Sequence, residues 1–142
     1  MKIFAFTLLL ILTITQLSFA HDFDAKWIWK QQADRTPYNQ TIIASKSVEL
    51  GTFDNGIIRI TADSYYRLFI NDKWVGDGPC RSYAAHFRYD EIDVTPYLKE
   101  GTNEIKIISN FFGVCALTRQ VTEAGLLAQL DVKNKGQICG CS

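Results

Sequence analysis

Between Ser45 and Val132 apolar side chains recur at every second position in runs of six to eight residues, and no long stretch carries them at helical spacing. This commits the chain to half-buried strands. "SKSVEL", "GIIRITA", "YYRLFI", "NEIKIIS" and "GLLAQLDV" each offer one apolar face, and Gly, Asn, Asp or Pro separate them. In "YYRLFI" the alternation places Tyr66, Leu68 and Ile70 on one face, and Asn71-Asp72 then reads as a tight turn into a second short strand around Trp74. "HFRYDEIDV" sets Phe87, Tyr89 and Glu91 against Arg88, Asp90 and Ile92, which leaves its inward face undecided. "DVTPYLKEGTN" is the one helical turn: Thr95 is expected as its cap, Pro96 as its first position and Gly101 as its exit. "FFGV" reads as an aromatic edge, and the tail "DVKNKGQICGCS" as a turn into a further strand that starts and stops. Seven or eight strands at this spacing predict an all-β, antiparallel two-layer sandwich, a jelly roll whose last strand is cut short.

The first twenty residues, "MKIFAFTLLLILTITQLSFA", combine a lysine, a short apolar run and small residues at Ser18 and Ala20, the pattern of a secretory signal peptide cleaved after Ala20. The run is short for a membrane span. Residues 1–20 are thus the signal and 21–142 the domain, 122 of the 142 residues, a length suited to one sandwich. A secreted or periplasmic location follows, with no membrane association after cleavage. Without Lys2, 14 cations face 15 anions, so no strong field points to nucleic acid or an anionic membrane. An oxidising compartment permits disulfides among Cys80, Cys115, Cys139 and Cys141; Cys80 and Cys115 can be read as a pair or as two buried thiols, and connectivity stays open. A Cys-x-Cys at the chain end with His21 and His86 is not a zinc pattern.

Four ordered segments, "AKWIW", "ITADSYYRLFINDKWVGDGPCR", "YDEIDVTPYLKEGTNEIKI" and "GLLAQLDV", spanning Ala25 to Val132, resemble the N-terminal β-sandwich of bacterial α-L-rhamnosidases of glycoside hydrolase family 78. The resemblance implies a galactose-binding-like sandwich, with the acid and base carboxylates on a helical (α/α) barrel that nothing in this sequence resembles. It therefore implies a module of a hydrolase rather than a complete one. The family hairpin usually turns through Asn-Gly, where this chain has Asn71-Asp72.

Recognition of a pyranose ring needs a flat aromatic face with fixed polar groups beside it. Trp74, Arg81, Tyr83, His86 and Arg88 supply these within one hairpin and its following loop. The competing structural reading packs Trp74 in the core and pairs Arg81 and Arg88 with Asp63 or Asp90. Trp27 and Trp29 are read as a plug that ties down the chain start rather than a ligand platform. Asp22, Asp24, Asp54, Asn55 and Asp77 are potential calcium ligands, but no ordered Asp-x-Asp-x-Asp-Gly loop holds them and turn formation accounts for them; no cofactor or metal is assigned. Asp90 and Asp93 are the one tempting carboxylate pair, yet Asp90 is expected to face solvent and Asp93 to begin the capped turn, so no catalytic residue is assigned. The leading expectation is a secreted, non-catalytic accessory module of an α-L-rhamnosidase-like hydrolase, partnered by the absent barrel and by a rhamnose-containing glycan. It predicts an open sheet edge near Cys139 and an apolar patch without a cleft. The alternative, a stand-alone secreted carbohydrate-binding module, predicts a complete sandwich with Trp74 or Trp27 exposed beside polar groups.

Overall fold

The structure is a computed structural model that describes residues 23–30, 38–80, 88–115, 123–134 and 137–141, the last with backbone only. The expected signal peptide lies outside the described residues. Among the described residues eight strands form: β1 (Gln40–Leu50), β2 (Asn55–Ala62), β3 (Tyr65–Ile70), β4 (Lys73–Gly78), β5 (Asp90–Asp93), β6 (Gly101–Phe111), β7 (Leu126–Asn134) and β8 (Gln137–Cys141). They make two antiparallel four-stranded sheets, in the orders β1-β6-β3-β4 and β5-β2-β7-β8. The two-layer all-β sandwich expected from the alternation is therefore the fold.

Alternation decides what lies between the layers. Tyr66, Leu68 and Ile70 are all fully buried, as are Ile58 and Ile60 on β2, and Ile105, Ile107, Leu126 and Leu130 are among the residues that pack with them in the core. Each such side chain contributes about 1.5–3 kcal/mol by leaving water. The "QIC" segment continues to Cys141 and pairs with β7 from Leu130 to Asn134. "FFGV" divides at the sheet end, with Phe111 buried and Phe112 exposed.

The helical turn is a 3-10 turn, Thr95–Tyr97, and its cap differs from expectation. Thr95 lies inside the turn; its hydroxyl accepts from the Gly56 amide at 3.0 Å, while Asp93 Oδ1 accepts from the Thr95 amide at 2.9 Å. The threonine ties the corner to β2, and the aspartate two residues earlier satisfies the free amide. Asn103, fully buried at the start of β6, completes the corner. Its amide group donates to the carbonyls of Lys99 (2.6 Å) and Gly101 (3.0 Å), and its Oδ1 accepts from the Lys99 amide and Asn71 Nδ2, both at 2.9 Å. One asparagine thus joins the β3–β4 turn to the corner before β6.

The segment Phe23–Lys30 is a strap. Ile28 makes an antiparallel bridge to Leu126, and Gln129 Oε1 accepts from the amides of Asp24 (2.9 Å) and Ala25 (3.3 Å). The Phe23 ring meets Tyr89 at 5.3 Å, beside the far edge of the same sheet. Trp29 packs edge-on against Phe111 at 6.3 Å and donates to Gln40 Oε1 at 2.9 Å, which makes it the expected plug. Trp27 lies over Gly125, where a Cβ would stand 2.6 Å from the indole, yet it keeps an exposed face. Arg59, Gln129 and Asp131 occupy the outward positions of this sheet. Gln129 and Asp131 are nevertheless buried, with Arg59 reaching both Asp131 and Glu91.

Candidate functional site

The β3–β4 hairpin turns through Asn71 and Asp72, both at positive φ (50° and 60°), the geometry of a two-residue turn that suits strand twist. Below the turn the register slips. Phe69 faces Trp74 but Leu68 faces Gly76, so Val75 is an extra residue on β4. Residues three apart in a regular strand point to opposite faces; the bulge places Trp74 and Asp77 on the same outer face, across from Phe69 and Arg67.

On that face Trp74 is 58% exposed. Asp77 Oδ1 accepts from Arg67 Nε at 2.7 Å and from the Trp74 indole at 3.4 Å, while the Arg67 guanidinium carbon stands 6.0 Å from the Tyr65 ring centroid. The hydrogen bond from Arg67, helped by those from Tyr65 and Trp74, holds the Asp77 carboxyl below the usual carboxylate range despite partial desolvation. An exposed ion pair of this kind adds little stability. Its consequence is orientation: a flat indole edge, a fixed carboxylate and a fixed guanidinium lie within one patch, the chemistry that a sugar ring and its hydroxyls require.

Beneath the patch the two sheets are locked together. Tyr66 Oη donates to Asp90 Oδ2 at 2.6 Å, and Asp90 Oδ1 accepts from the Cys80 amide at 3.4 Å. Burial, then the bond to Asp90, drive the Tyr66 phenol well above its ordinary value. Gly78 passes over this pair so closely that a Cβ would stand 2.3 Å from Asp90 Oδ2 and 2.6 Å from the Tyr66 ring. Asp90 is therefore half-buried and engaged, not facing solvent as the sequence suggested, and it is not a partner for Arg88. Asp93 is exposed and bonded to the 3-10 turn. Strand alternation points the two carboxylates to opposite faces of β5, so they do not share a pocket.

Trp74 is on the surface rather than in the core. Arg88 is exposed ahead of β5, with no described contact to Trp74; Arg81, Tyr83 and His86 lie outside the described residues. Tyr65, Arg67 and Asp77, which complete the patch, were not chosen together from the sequence. Gly76 was the available signal, since a glycine inside a strand marks a bulge and a bulge changes which residues share a face. Asp22 is outside the described residues, and among the described residues no group of three or more His, Cys, Asp and Glu could hold a metal ion. Cys80 and Cys115 are both exposed and are not joined to each other, unlike either expectation for them. No helix among the described residues is long and apolar enough to cross a membrane.

No family model matches the chain, and no curated protein matches it. Solved structures do. The family 78 rhamnosidase of Bacillus sp. GL1 superimposes with a TM-score of 0.74 at 28% identity over 85% of this chain. The sandwich is similar to a domain of that rhamnosidase. The Streptomyces avermitilis α-L-rhamnosidase, solved with L-rhamnose, shares the fold at a TM-score of 0.65 and 16% identity over 82% of the chain. That of Aspergillus terreus shares it at 0.63 and 23% over 79%. The chain spans 13%, 11% and 15% of those three proteins, whose further domains make up most of their length.

Proposed function

We propose that this chain serves as a non-catalytic accessory module of a secreted or periplasmic α-L-rhamnosidase-like glycoside hydrolase, acting beside a separate catalytic barrel and lending the Trp74 patch to carbohydrate. The observation that carries the reading is the disproportion of the match: it takes in most of this chain and roughly an eighth of each rhamnosidase. Two surface features support the division of labour. At the β4 end of the first sheet, Trp74 stands beside the fixed Arg67–Asp77 pair. Toward the β1 edge of the same outer face, Ile43 is 67% exposed next to Ile108, an apolar stretch suited to packing against another domain. The signal-like first twenty residues support export.

The exposed Trp74 beside polar groups is also what a self-sufficient carbohydrate-binding module would show, and one experiment separates the readings. The purified chain is titrated with L-rhamnose and an aryl α-L-rhamnoside by calorimetry and by tryptophan fluorescence, and its release of the aryl group is followed. The accessory reading expects no hydrolysis and weak saturable binding that Trp74→Ala and Arg67→Ala abolish. Hydrolysis by the chain alone overturns it, and binding that survives Trp74→Ala removes the patch from the site. Tight binding without any catalytic partner favours the stand-alone module.

A further inference from the structure

The outer face of the first sheet carries aromatic rings at two levels, and strand register sets the distance between them. On β3 the buried side chains of Tyr66, Leu68 and Ile70 leave Tyr65, Arg67 and Phe69 on the outer face. Across the hairpin Trp74 stands opposite Phe69, and Asp77 opposite Arg67. The ion pair therefore occupies a middle row, with Trp74 one row toward the turn and Tyr65 one row away from it. Four residues of strand separate the two aromatic rows, about 14 Å of backbone, which is more than a single pyranose ring covers. A cleft of about 510 Å³ between β1 and β7, which the accessory-module expectation did not include, has none of these residues in its lining.

Hydrogen-bond capacity divides the labour within the middle row. A carboxylate offers roughly four acceptor sites. Asp77 receives Arg67 Nε at 2.7 Å, Arg67 Nη2 at 3.4 Å, the Trp74 indole at 3.4 Å and the Tyr65 hydroxyl, so its acceptors are taken up within the patch. Arg67 is in the opposite position. Its contacts among the described residues, to Asp77 and to the Tyr65 hydroxyl, use only part of the donor capacity of a guanidinium, and the side chain is exposed. Asp77 is thus a positioning residue, joined to both rings and to the guanidinium, and Arg67 is the polar group that a ligand meets. We infer that the patch selects a disaccharide or longer glycan over a monosaccharide, with one sugar ring against Trp74, the next toward Tyr65, and the linkage between them over the Arg67 guanidinium. The linkage and ring oxygens of a glycan accept hydrogen bonds and have none to donate, which matches a donor-only group at that point. This rests on the carbohydrate contact proposed for the Trp74 patch and adds the length of its ligand.

The full chain is titrated by calorimetry and by tryptophan fluorescence with methyl α-L-rhamnoside and with two rhamnosyl-glucose disaccharides of different linkage, rutinose and neohesperidose. At least one disaccharide is expected to bind about tenfold tighter than the monosaccharide, the ratio for one added ring contact. Trp74→Ala should abolish binding of all three sugars. Tyr65→Ala should bring the ratio of disaccharide to monosaccharide affinity close to unity, whereas Tyr65→Phe, which keeps the ring, should retain most of the preference. Circular dichroism and thermal unfolding check that each variant is folded. Equal affinity of the unaltered chain for monosaccharide and disaccharides overturns the inference, and the carbohydrate contact still stands in that case if Trp74→Ala abolishes binding. A folded Tyr65→Ala that weakens every sugar alike, with the ratio intact, gives Tyr65 a structural role only and also overturns it. Absence of binding by any of the sugars removes the carbohydrate contact and this inference together.

Discussion

Replacing Asn103 with alanine tests the corner on which the hairpin is mounted. The substitution strands four groups: the amide and carbonyl of Lys99, the Gly101 carbonyl, and one N–H of Asn71 Nδ2, whose other contact is the Tyr97 carbonyl at 2.9 Å. A buried polar group left without a partner costs about 1–3 kcal/mol. Lys99 is exposed and Gly101 half-exposed, so water can satisfy part of the deficit. A loss of about 2–4 kcal/mol is expected overall, which in a domain of this size lowers Tm by roughly 8–16 °C. Urea unfolding at pH 7 followed by circular dichroism measures it. Asn71→Gly gives the second arm of a cycle. Glycine is the best residue for positive φ, so turn geometry alone predicts a gain, whereas the asparagine side chain bonds Tyr97, Asn103 and the Glu104 amide (3.1 Å) and predicts a loss of about 1–2 kcal/mol. The double variant should cost at least about 0.5 kcal/mol less than the two single losses combined. A cost below about 1 kcal/mol for Asn103→Ala, or strict additivity, would refute the network as the tie between turn and corner.

Two further outcomes follow from the same region. Because the Tyr66 phenol is raised, its contribution is complete below the ordinary tyrosine value near 10 and is lost as pH climbs above it, where the unfolded chain releases a proton that the folded chain keeps; stability should fall by up to about 1.4 kcal/mol per pH unit from this group. Tyr66→Phe should cost about 1–2 kcal/mol at pH 7 and flatten that alkaline slope, and urea midpoints at pH 7 and pH 11 that move in parallel for both proteins would contradict it. Asp72→Gly, next to Asn71, should stabilise by about 0.5 kcal/mol, since Asp72 holds φ 60° and its side chain meets solvent and Lys106 rather than a buried group; a lower thermal midpoint would show that the Lys106 contact outweighs the backbone.

The layers were legible because burial of one strand face leaves a period-2 trace, and that trace identifies Tyr66, Leu68 and Ile70 without ambiguity. It also held a signal for Asn103: in "NEIKIIS" the asparagine shares parity with Ile105 and Ile107, so an amide must enter the core and find partners there. What alternation cannot carry is contact between segments far apart in sequence. By alternation Gln129 and Asp131 fall on the outward face of β7; Gln129 is engaged there by a strap about one hundred residues earlier, and Asp131 by Arg59 from β2 and by Gln129 itself. Asp90 read as solvent-facing for the same reason, since its partner Tyr66 comes from the other sheet. Trp74 and Asp77 were separated by a strict period of two, and one inserted residue, Val75, brought them together.

The patch owes its rigidity to these contacts that simple alternation does not reveal. A two-residue turn fixes the far end of β4 through Asn71 and Asn103, and the Tyr66–Asp90 bond under Gly78 fixes the near end, leaving the bulge between two anchored points. A bulge on a free edge strand would let Trp74 and Asp77 sample many relative positions. Held at both ends, it presents the indole and the Arg67–Asp77 pair with little ordering left to be done on binding. Loss of either anchor should therefore weaken the sugar binding proposed for this patch beyond its effect on stability. Tyr66→Phe, which touches no exposed atom of the patch, is the variant in which that coupling is most directly read.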